Sequence, residues 1–239
     1  MAAQVVVRLL ELRPPGDAGR WRRTNYRGRS VSKAAGPALA VAVSAGAGAA
    51  AAVAGVGAGL AGAYDDLHGS ADSAKGFRGH LGALRHGRLT TGAAKLLGIS
   101  AASLVAAACI RPRRDVVLSG AVIAGTANLV NLLDLRPGRA LKVGLAGAAL
   151  LGRPGVVGSC AALLPGDLAE RRMLGDCGAN ALGAVLGVAL VERLRPRAAR
   201  QVALAALLGL TAASERVSFT EVIDRTSALR RLDRLGRRS

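Results

Sequence analysis

Seven apolar blocks, separated by short charged loops, make up most of the chain. They cover residues 36–63, 93–110, 116–133, 140–152, 154–164, 177–191 and 198–213. A helix that crosses a hydrocarbon core about 30 Å thick needs about 20 apolar residues, and the first three and last two blocks meet or approach that length. The fourth and fifth blocks are shorter, and they predict either two brief spans or one re-entrant pair shielded by neighbouring helices.

The pattern predicts an all-α, multi-span membrane bundle of about six or seven apolar helices. A soluble bundle of Ala-rich helices is the alternative, but the first block includes LAVAVSAGAGAAAAVAGVGAGLAGA, which has no polar face to present to water. Its small residues would allow helices to pack closely in lipid. The chain therefore divides into a basic N-terminal segment (1–35), a transmembrane domain (36–213) and a basic C-terminal tail (214–239).

Charge changes this picture only in the loops and the tail. The 239 residues are 51% hydrophobic, carry a formal charge of +18 and contain only 2% aromatic residues. Because the charge lies between apolar blocks and lacks interleaved aromatic residues, nucleic-acid binding is disfavoured. In the tail, Val and Leu alternate with Arg, which predicts an amphipathic helix on an anionic membrane surface; a solvated basic tail is the alternative.

The distribution of lysine and arginine predicts the topology. If the loop 64–95 is cytosolic, the loops 134–142 and 165–176 and the tail fall on the same side. Together these regions hold about twice as many lysines and arginines as the loops on the other side, which agrees with the positive-inside rule. A single crossing by the first block would place the basic segment 20–33 outside, against that rule. Either the N-terminus is displaced in this way, or the block folds back as a hairpin.

Polar residues at the ends of the blocks converge on the predicted cytosolic side. They are Asp65, Asp66, Asn128, Asn131, Asp134 and Asp176. The two asparagines and Asp134 are three residues apart, so they form a ridge on the last turns of a helix. Asp176 precedes an apolar helix, and the free N–H groups at a helix N-terminus bind phosphate or a carboxylate. Such ionisable groups indicate a functional site, and helix caps or snorkelling side chains are the alternative.

The ordered set of these motifs resembles the glycosyltransferase 4 superfamily of polyprenyl-phosphate sugar-1-phosphate transferases, over roughly residues 24–237. The motifs are Asp-Asp after one span, Asn-x-x-Asn-x-x-Asp at the end of another and Gly-Asp-x-Gly at the start of a later one. NYRGRSV and the tail SERVSFTEVIDRTSALRRLDRLGR are further similarities. The superfamily includes phospho-N-acetylmuramoyl-pentapeptide transferase and the undecaprenyl-phosphate N-acetylglucosamine-1-phosphate transferases.

The resemblance implies an activity, a location and residue roles. A sugar phosphate, of the N-acetylhexosamine type, would move from a UDP-sugar to polyprenyl (undecaprenyl) phosphate at the cytosolic face of a bacterial inner membrane, releasing UMP for cell-wall glycan synthesis. Asp65, Asp66 and Asp134 would be catalytic, Asp176 and Asp134 would bind Mg²⁺, and Asn128 and Asn131 would hold the nucleotide diphosphate. Their charge and position make five basic residues candidates for phosphate binding, and the alternative for each is an ordinary basic loop residue. They are Lys75, Lys95, Arg136, Arg139 and Lys142.

The chain also departs from the family pattern. The Asp-Gly-x-Asp-Gly continuation of the family is replaced by DLRPGRAL, which lacks the second carboxylate, and the family's His-rich loop near the C-terminal side is missing. A non-catalytic relative that acts as a binding or scaffold subunit is therefore the alternative to an enzyme, and homodimerisation is left open. A small transporter is disfavoured, since the polar residues lie at the ends of blocks rather than at mid-span.

Overall fold

The described part of the chain is mostly helical. The computed structural model describes residues 2–69, 82–83, 86–87 and 90–237. The helices in these ranges are α1 (Ala2–Leu12), α2 (Ala35–Ser44), α3 (Ala49–His68), α4 (Thr91–Ile110), α5 (Val116–Leu133), α6 (Arg139–Leu150), α7 (Pro154–Leu168), α8 (Gly175–Arg193), α9 (Arg197–Ser214), α10 (Phe219–Arg225) and α11 (Ser227–Arg234). The predicted helical class is confirmed. One antiparallel β-hairpin, β1 (Arg22–Thr24) with β2 (Ser30–Ser32), departs from an all-α chain.

Local sequence explains several helix boundaries. The side chain of Thr90 accepts the Ala93 N–H at 3.1 Å and caps the start of α4. Pro154 is the first residue of α7, where its missing N–H removes no hydrogen bond. Gly138 precedes α6 with a φ of +74°, a left-handed conformation that residues with a Cβ rarely adopt. Each of these three residues therefore marks the place where an apolar block begins.

The first apolar block folds back on itself and is not one continuous span. It divides into α2 and α3, and the turn between them contains Gly46 and Gly48, both with positive φ. The ten residues of α2 cover only about 15 Å, half of a hydrocarbon core. As a consequence, Lys33, just before α2, donates from Nζ to the backbone carbonyl of Asp66 near the end of α3, at 2.9 Å. The basic N-terminal segment and the paired aspartates lie at the same end of the molecule.

Helix α8 lies at the centre of the bundle. It packs against α2, α3 and α5, and most of its residues are buried. These contacts are close because the facing positions lack side chains. A methyl group at Gly183 of α8, for example, would lie 2.6 Å from Ala127 Cα of α5. Small residues thus bring the helix backbones together, and with them the polar groups at the helix ends.

Contacts between distant loops define two ends of the bundle. Among the described residues, five aspartates lie at one end, which we call the acidic end: Asp65, Asp66, Asp134, Asp167 and Asp176. At the opposite end, Arg200 pairs with Asp115 at 2.9 Å, and Arg111 and Arg153 contact Val191 and Glu192. The loops around these two sets are the ones that the charge distribution assigns to opposite sides.

Three described helical segments are long and apolar enough to cross a membrane: Thr91–Ile110, Arg113–Leu133 and Gly175–Arg193. A fourth is added if α9 and α10, which meet at a bend of 91°, count as one broken span. The expected six or seven spans are thus more than the structure supports, since α6 and α7 have only 12 and 15 residues. Large apolar side chains nevertheless point outward, including Leu97 (62% exposed) and Val117 (73% exposed), as on a lipid-facing surface.

Candidate functional site

A lysine bridges two carboxylates at the acidic end. Lys95 Nζ lies 2.9 Å from Asp65 Oδ2 and 2.5 Å from Asp176 Oδ2, which joins α4 to α3 and α8. The three side chains are largely buried, so their ion pairs are poorly screened by water. The ammonium group therefore neutralises part of the acidic cluster from within the protein.

The carboxylate of Asp66 caps the central helix. Its Oδ2 accepts the Cys177 N–H at 2.9 Å, at the N-terminus of α8. Gly175 makes this approach feasible: its φ is +60°, and a methyl group there would lie 2.8 Å from Asp66 Oδ2. The anion at this helix N-terminus is thus a carboxylate of the protein itself. Oδ1 of Asp66 is buried and has no hydrogen-bond partner among the described residues.

Asp134 and Asp167 extend the acidic cluster. Desolvation raises the pKa of Asp134 well above its usual value, and the charges of Asp167 and Asp176 raise it further, while a hydrogen bond from the Gly175 backbone opposes them. Burial likewise raises the pKa of Asp167 to about 6, although its Oδ2 accepts the Gly138 N–H at 2.6 Å. These carboxylates destabilise each other's charge, so the cluster favours a bound proton or cation.

A cavity of about 450 Å³ opens beside these carboxylates; we call it the first cavity. Asp134, Asp167, Asp176 and Asn131 line it together with arginines at positions 23, 136 and 172. Such a volume is typical of small-molecule sites. Acidic and basic side chains face the same space, as binding of a metal–phosphate group requires.

The β-hairpin of the N-terminal segment forms one wall of the first cavity. Asn25 Nδ2 donates to Glu170 Oε2 at 2.6 Å, and Arg27 pairs with the same carboxylate at 3.2 Å. The Ser32 N–H donates to the carbonyl of Arg171, and the Ser32 carbonyl accepts the N–H of Met173. The segment 1–35 is therefore joined to the helices through this hairpin rather than packed apart from them.

The predicted site residues separate into four groups, the last of which, Arg139 and Lys142, binds the C-terminal tail. Those that lie at the acidic end are Asp65, Asp66, Lys95, Asn131, Asp134, Arg136 and Asp176. Asn128 instead donates to Thr211 Oγ1 of α9 at 3.2 Å, so the predicted ridge of polar side chains divides between two neighbours. Lys75 lies outside the described residues.

Two predicted phosphate-binding residues bind the C-terminal tail. Arg139 pairs with Asp233 through Nε at 2.8 Å and Nη2 at 3.1 Å, with both side chains about 5% exposed. Lys142 Nζ donates to the backbone carbonyls of Leu232 and Asp233. The sequence indicates that these bases lie near the predicted site. It does not indicate their partners in the tail, which follow about 90 residues later in the chain.

The sequence interpretation missed Asp167, Glu170 and Lys33. Asp167 and Glu170 belong to the loop 165–176, which the charge distribution already places beside the other acids, so their position was an available signal. Lys33 carried no such signal, because its contact with Asp66 depends on the turn between α2 and α3, which the sequence left open as one of two arrangements.

Carboxylate and amide oxygens are the ligand type that Mg²⁺ prefers. Asp134, Asp167 and Asp176 supply such donors around the first cavity, and their mutual repulsion favours a cation there. Within the described ranges, however, no three Asp, Glu, His or Cys side chains are arranged to hold a metal ion. The donor chemistry fits Mg²⁺, while the present side-chain arrangement places the Lys95 ammonium between two of the acids.

Comparisons with protein-family models, with curated proteins and with solved structures find no significant match for this chain.

Proposed function

We propose that the protein is a membrane-embedded sugar-1-phosphate transferase. The observation that carries the proposal is the first cavity, where carboxylates from three helix ends meet arginines at one end of an apolar bundle. A UDP-sugar and a polyprenyl phosphate both present phosphate oxygens, which need basic groups and a carboxylate-bound cation. The acceptor's chain requires a site that opens to lipid, which the outward apolar faces of α4 and α5 support.

In the proposed reaction, an oxygen of the lipid phosphate attacks the phosphorus atom next to the sugar. The bond between the two phosphates of the donor breaks, and UMP leaves with the bridging oxygen. Asp65, held by Lys95, orients the acceptor phosphate, and Arg136 binds phosphate oxygens. Asp134 and Asp176 would hold Mg²⁺, which would neutralise charge on the diphosphate. The catalytic face would be cytosolic, in a bacterial inner membrane, and the product would enter cell-envelope glycan synthesis.

A specific observation favours the second candidate, a non-catalytic scaffold subunit. Lys95 already pairs with both Asp65 and Asp176, and Asp66 already caps α8, so the cluster also has a structural role without any ligand. The scaffold alternative predicts that these residues support folding and partner binding only.

Release of UMP distinguishes the two candidates. Purified protein in lipid nanodiscs would be incubated with Mg²⁺, undecaprenyl phosphate and a panel of UDP-N-acetylhexosamines. The transferase proposal expects UMP from at least one donor and a loss of about 100-fold or more in Asp176→Asn, since one anionic group is removed from the charge-stabilising site. The control Glu192→Gln, at the opposite end, should keep full activity. No release with any donor would favour the scaffold, whereas a fully active Asp176→Asn protein would show that Asp176 is not part of the catalytic site.

A further inference from the structure

A second cavity, of about 510 Å³, lies between the N-terminal β-hairpin and the C-terminal tail. Five arginines of the described part of the chain line it: Arg27, Arg136, Arg139, Arg234 and Arg237. Two come from the tail, two from the loop region before and at the start of α6, and one from the hairpin. The tail helices α10 and α11 thus contribute part of the wall, and the second cavity exists only while they are docked.

The acidic residues of the second cavity neutralise only part of the charge of its arginines. Asp233 is fully engaged by Arg139 and by Arg237, whose Nη2 lies 2.6 Å from Oδ1. Asp224, the other aspartate, is exposed. Among the described residues, no carboxylate forms an ion pair with Arg136 or Arg234. Burial holds the pKa of Arg237 below its usual value, and Arg139 adds to this effect while Asp233 opposes it. The second cavity therefore has an excess of positive charge.

Arg136 is positioned for an anion that reaches this space. Its guanidinium carbon lies 4.1 Å above the Tyr26 ring centroid, a cation–π contact that holds the group at this position. A planar guanidinium presents paired N–H donors that match phosphate oxygens. Tyr26 and Arg136 line the first cavity as well as the second, so the two spaces meet at this pair.

We propose that the second cavity binds a phosphate or diphosphate group, with Arg136 and Arg234 as its main ligands, and that docking of the C-terminal tail assembles the site. Asp233 acts as the anchor that holds α11 against Arg139, and Arg234, the next residue, thereby lines the same cavity as Arg136. The proposal requires only a docked tail. It does not depend on transferase activity.

The direct test measures binding of inorganic pyrophosphate to the full chain in nanodiscs of zwitterionic lipid, by isothermal titration calorimetry. Arg136→Gln and Arg234→Gln should each weaken binding roughly 10-fold, because each removes a charge-assisted hydrogen bond. Arg234→Lys, which keeps the charge, should lose less. Arg231→Gln is the matched control: it lies on the same helix, is exposed and does not line the cavity.

The outcomes separate the proposal from general electrostatic attraction and identify the source of the phosphate. Unchanged affinity in both cavity variants, or an equal loss in Arg231→Gln, would overturn the proposal. If UDP competes with pyrophosphate, the natural ligand is a soluble diphosphate. If anionic phospholipid in the nanodiscs abolishes pyrophosphate binding, and does so through Arg136 and Arg234, the natural ligand is a lipid phosphate. A protein that binds pyrophosphate but releases no UMP would keep this inference and lose the proposed function.

Discussion

At the scale of single residues, Gly175 connects several parts of the acidic cluster. It begins α8 in a left-handed conformation, its backbone hydrogen-bonds Asp134, and it leaves space for the carboxylate of Asp66. A residue with a Cβ would cost about 1–2 kcal/mol in backbone energy alone and would also press against Asp66. One glycine thus permits two aspartates to approach the same helix end.

We therefore expect Gly175→Ala to lower the melting temperature of the protein in detergent, as followed by circular dichroism. The matched control is Gly158→Ala in α7, where an added methyl group would meet no neighbouring side chain or helix within 4 Å and φ is not left-handed. That change should be neutral or stabilise by about 0.5–1 kcal/mol, because Ala favours a helix. Equal melting temperatures for the two variants would contradict the contact between Gly175 and Asp66.

The position of most aspartates at the acidic end was predictable from the sequence, but their partners were not. Asp65, Asp66, Asp134 and Asp176 each follow or precede an apolar block, and that position alone predicts that they lie together at a helix end. Asp167 looks like any loop aspartate in its local sequence. Its hydrogen bond with Gly138 depends on how α6 and α7 meet, which no local pattern encodes.

At the scale of elements, the C-terminal tail differs from the single amphipathic helix that its sequence predicts. It forms two short helices, α10 and α11, and α10 turns by 91° from the axis of α9. Leu232 and Leu235 remain 63% and 68% exposed, so an apolar face is still available to a membrane surface. In the sequence, Asp233 lies among arginines and looks like a solvent-exposed residue. Its burial depends on its pairing with Arg139, 94 positions away.

Breaking this anchor should release the tail. Asp233→Asn leaves Arg139 buried without its carboxylate, and loss of one partner of a buried ion pair costs about 3–5 kcal/mol. Glu221→Gln is the control, since its pair with Arg225 is exposed and worth less than about 1 kcal/mol. Trypsin should therefore cut the tail much faster in Asp233→Asn than in the native or the control protein. Equal cleavage rates would show that Asp233 does not hold the tail.

At the scale of the whole molecule, the turn between α2 and α3 decides where the N-terminal segment lies. The sequence left two arrangements open, because the apolar block 36–63 is compatible with one crossing or with a hairpin. The choice depends on Gly46 and Gly48, whose backbone conformation breaks an otherwise continuous helical pattern. With the hairpin, the N-terminal segment, the acidic end and the tail share one side.

Cysteine labelling in sealed vesicles of known orientation tests this arrangement. In a Cys109→Ser background, which removes the exposed native thiol, Arg20→Cys and Arg230→Cys should react with a membrane-impermeant maleimide from the same side. Arg195→Cys, at the opposite end, should react only from the other side. If Arg20→Cys reacts together with Arg195→Cys, the first block crosses the membrane once and the hairpin is wrong.

The central position of α8 has a consequence for biosynthesis. Ribosomes complete α2, α3 and α5 well before α8 is made, yet these helices complete their packing only around it. Until residue 175 has been synthesised, the nascent chain must keep a glycine-lined groove and the carboxylate of Asp66 without their final partner. Insertion of α8 is therefore the step at which α2, α3 and α5 gain their common partner, and a chain stalled before it would present this unfilled groove to membrane proteases and chaperones.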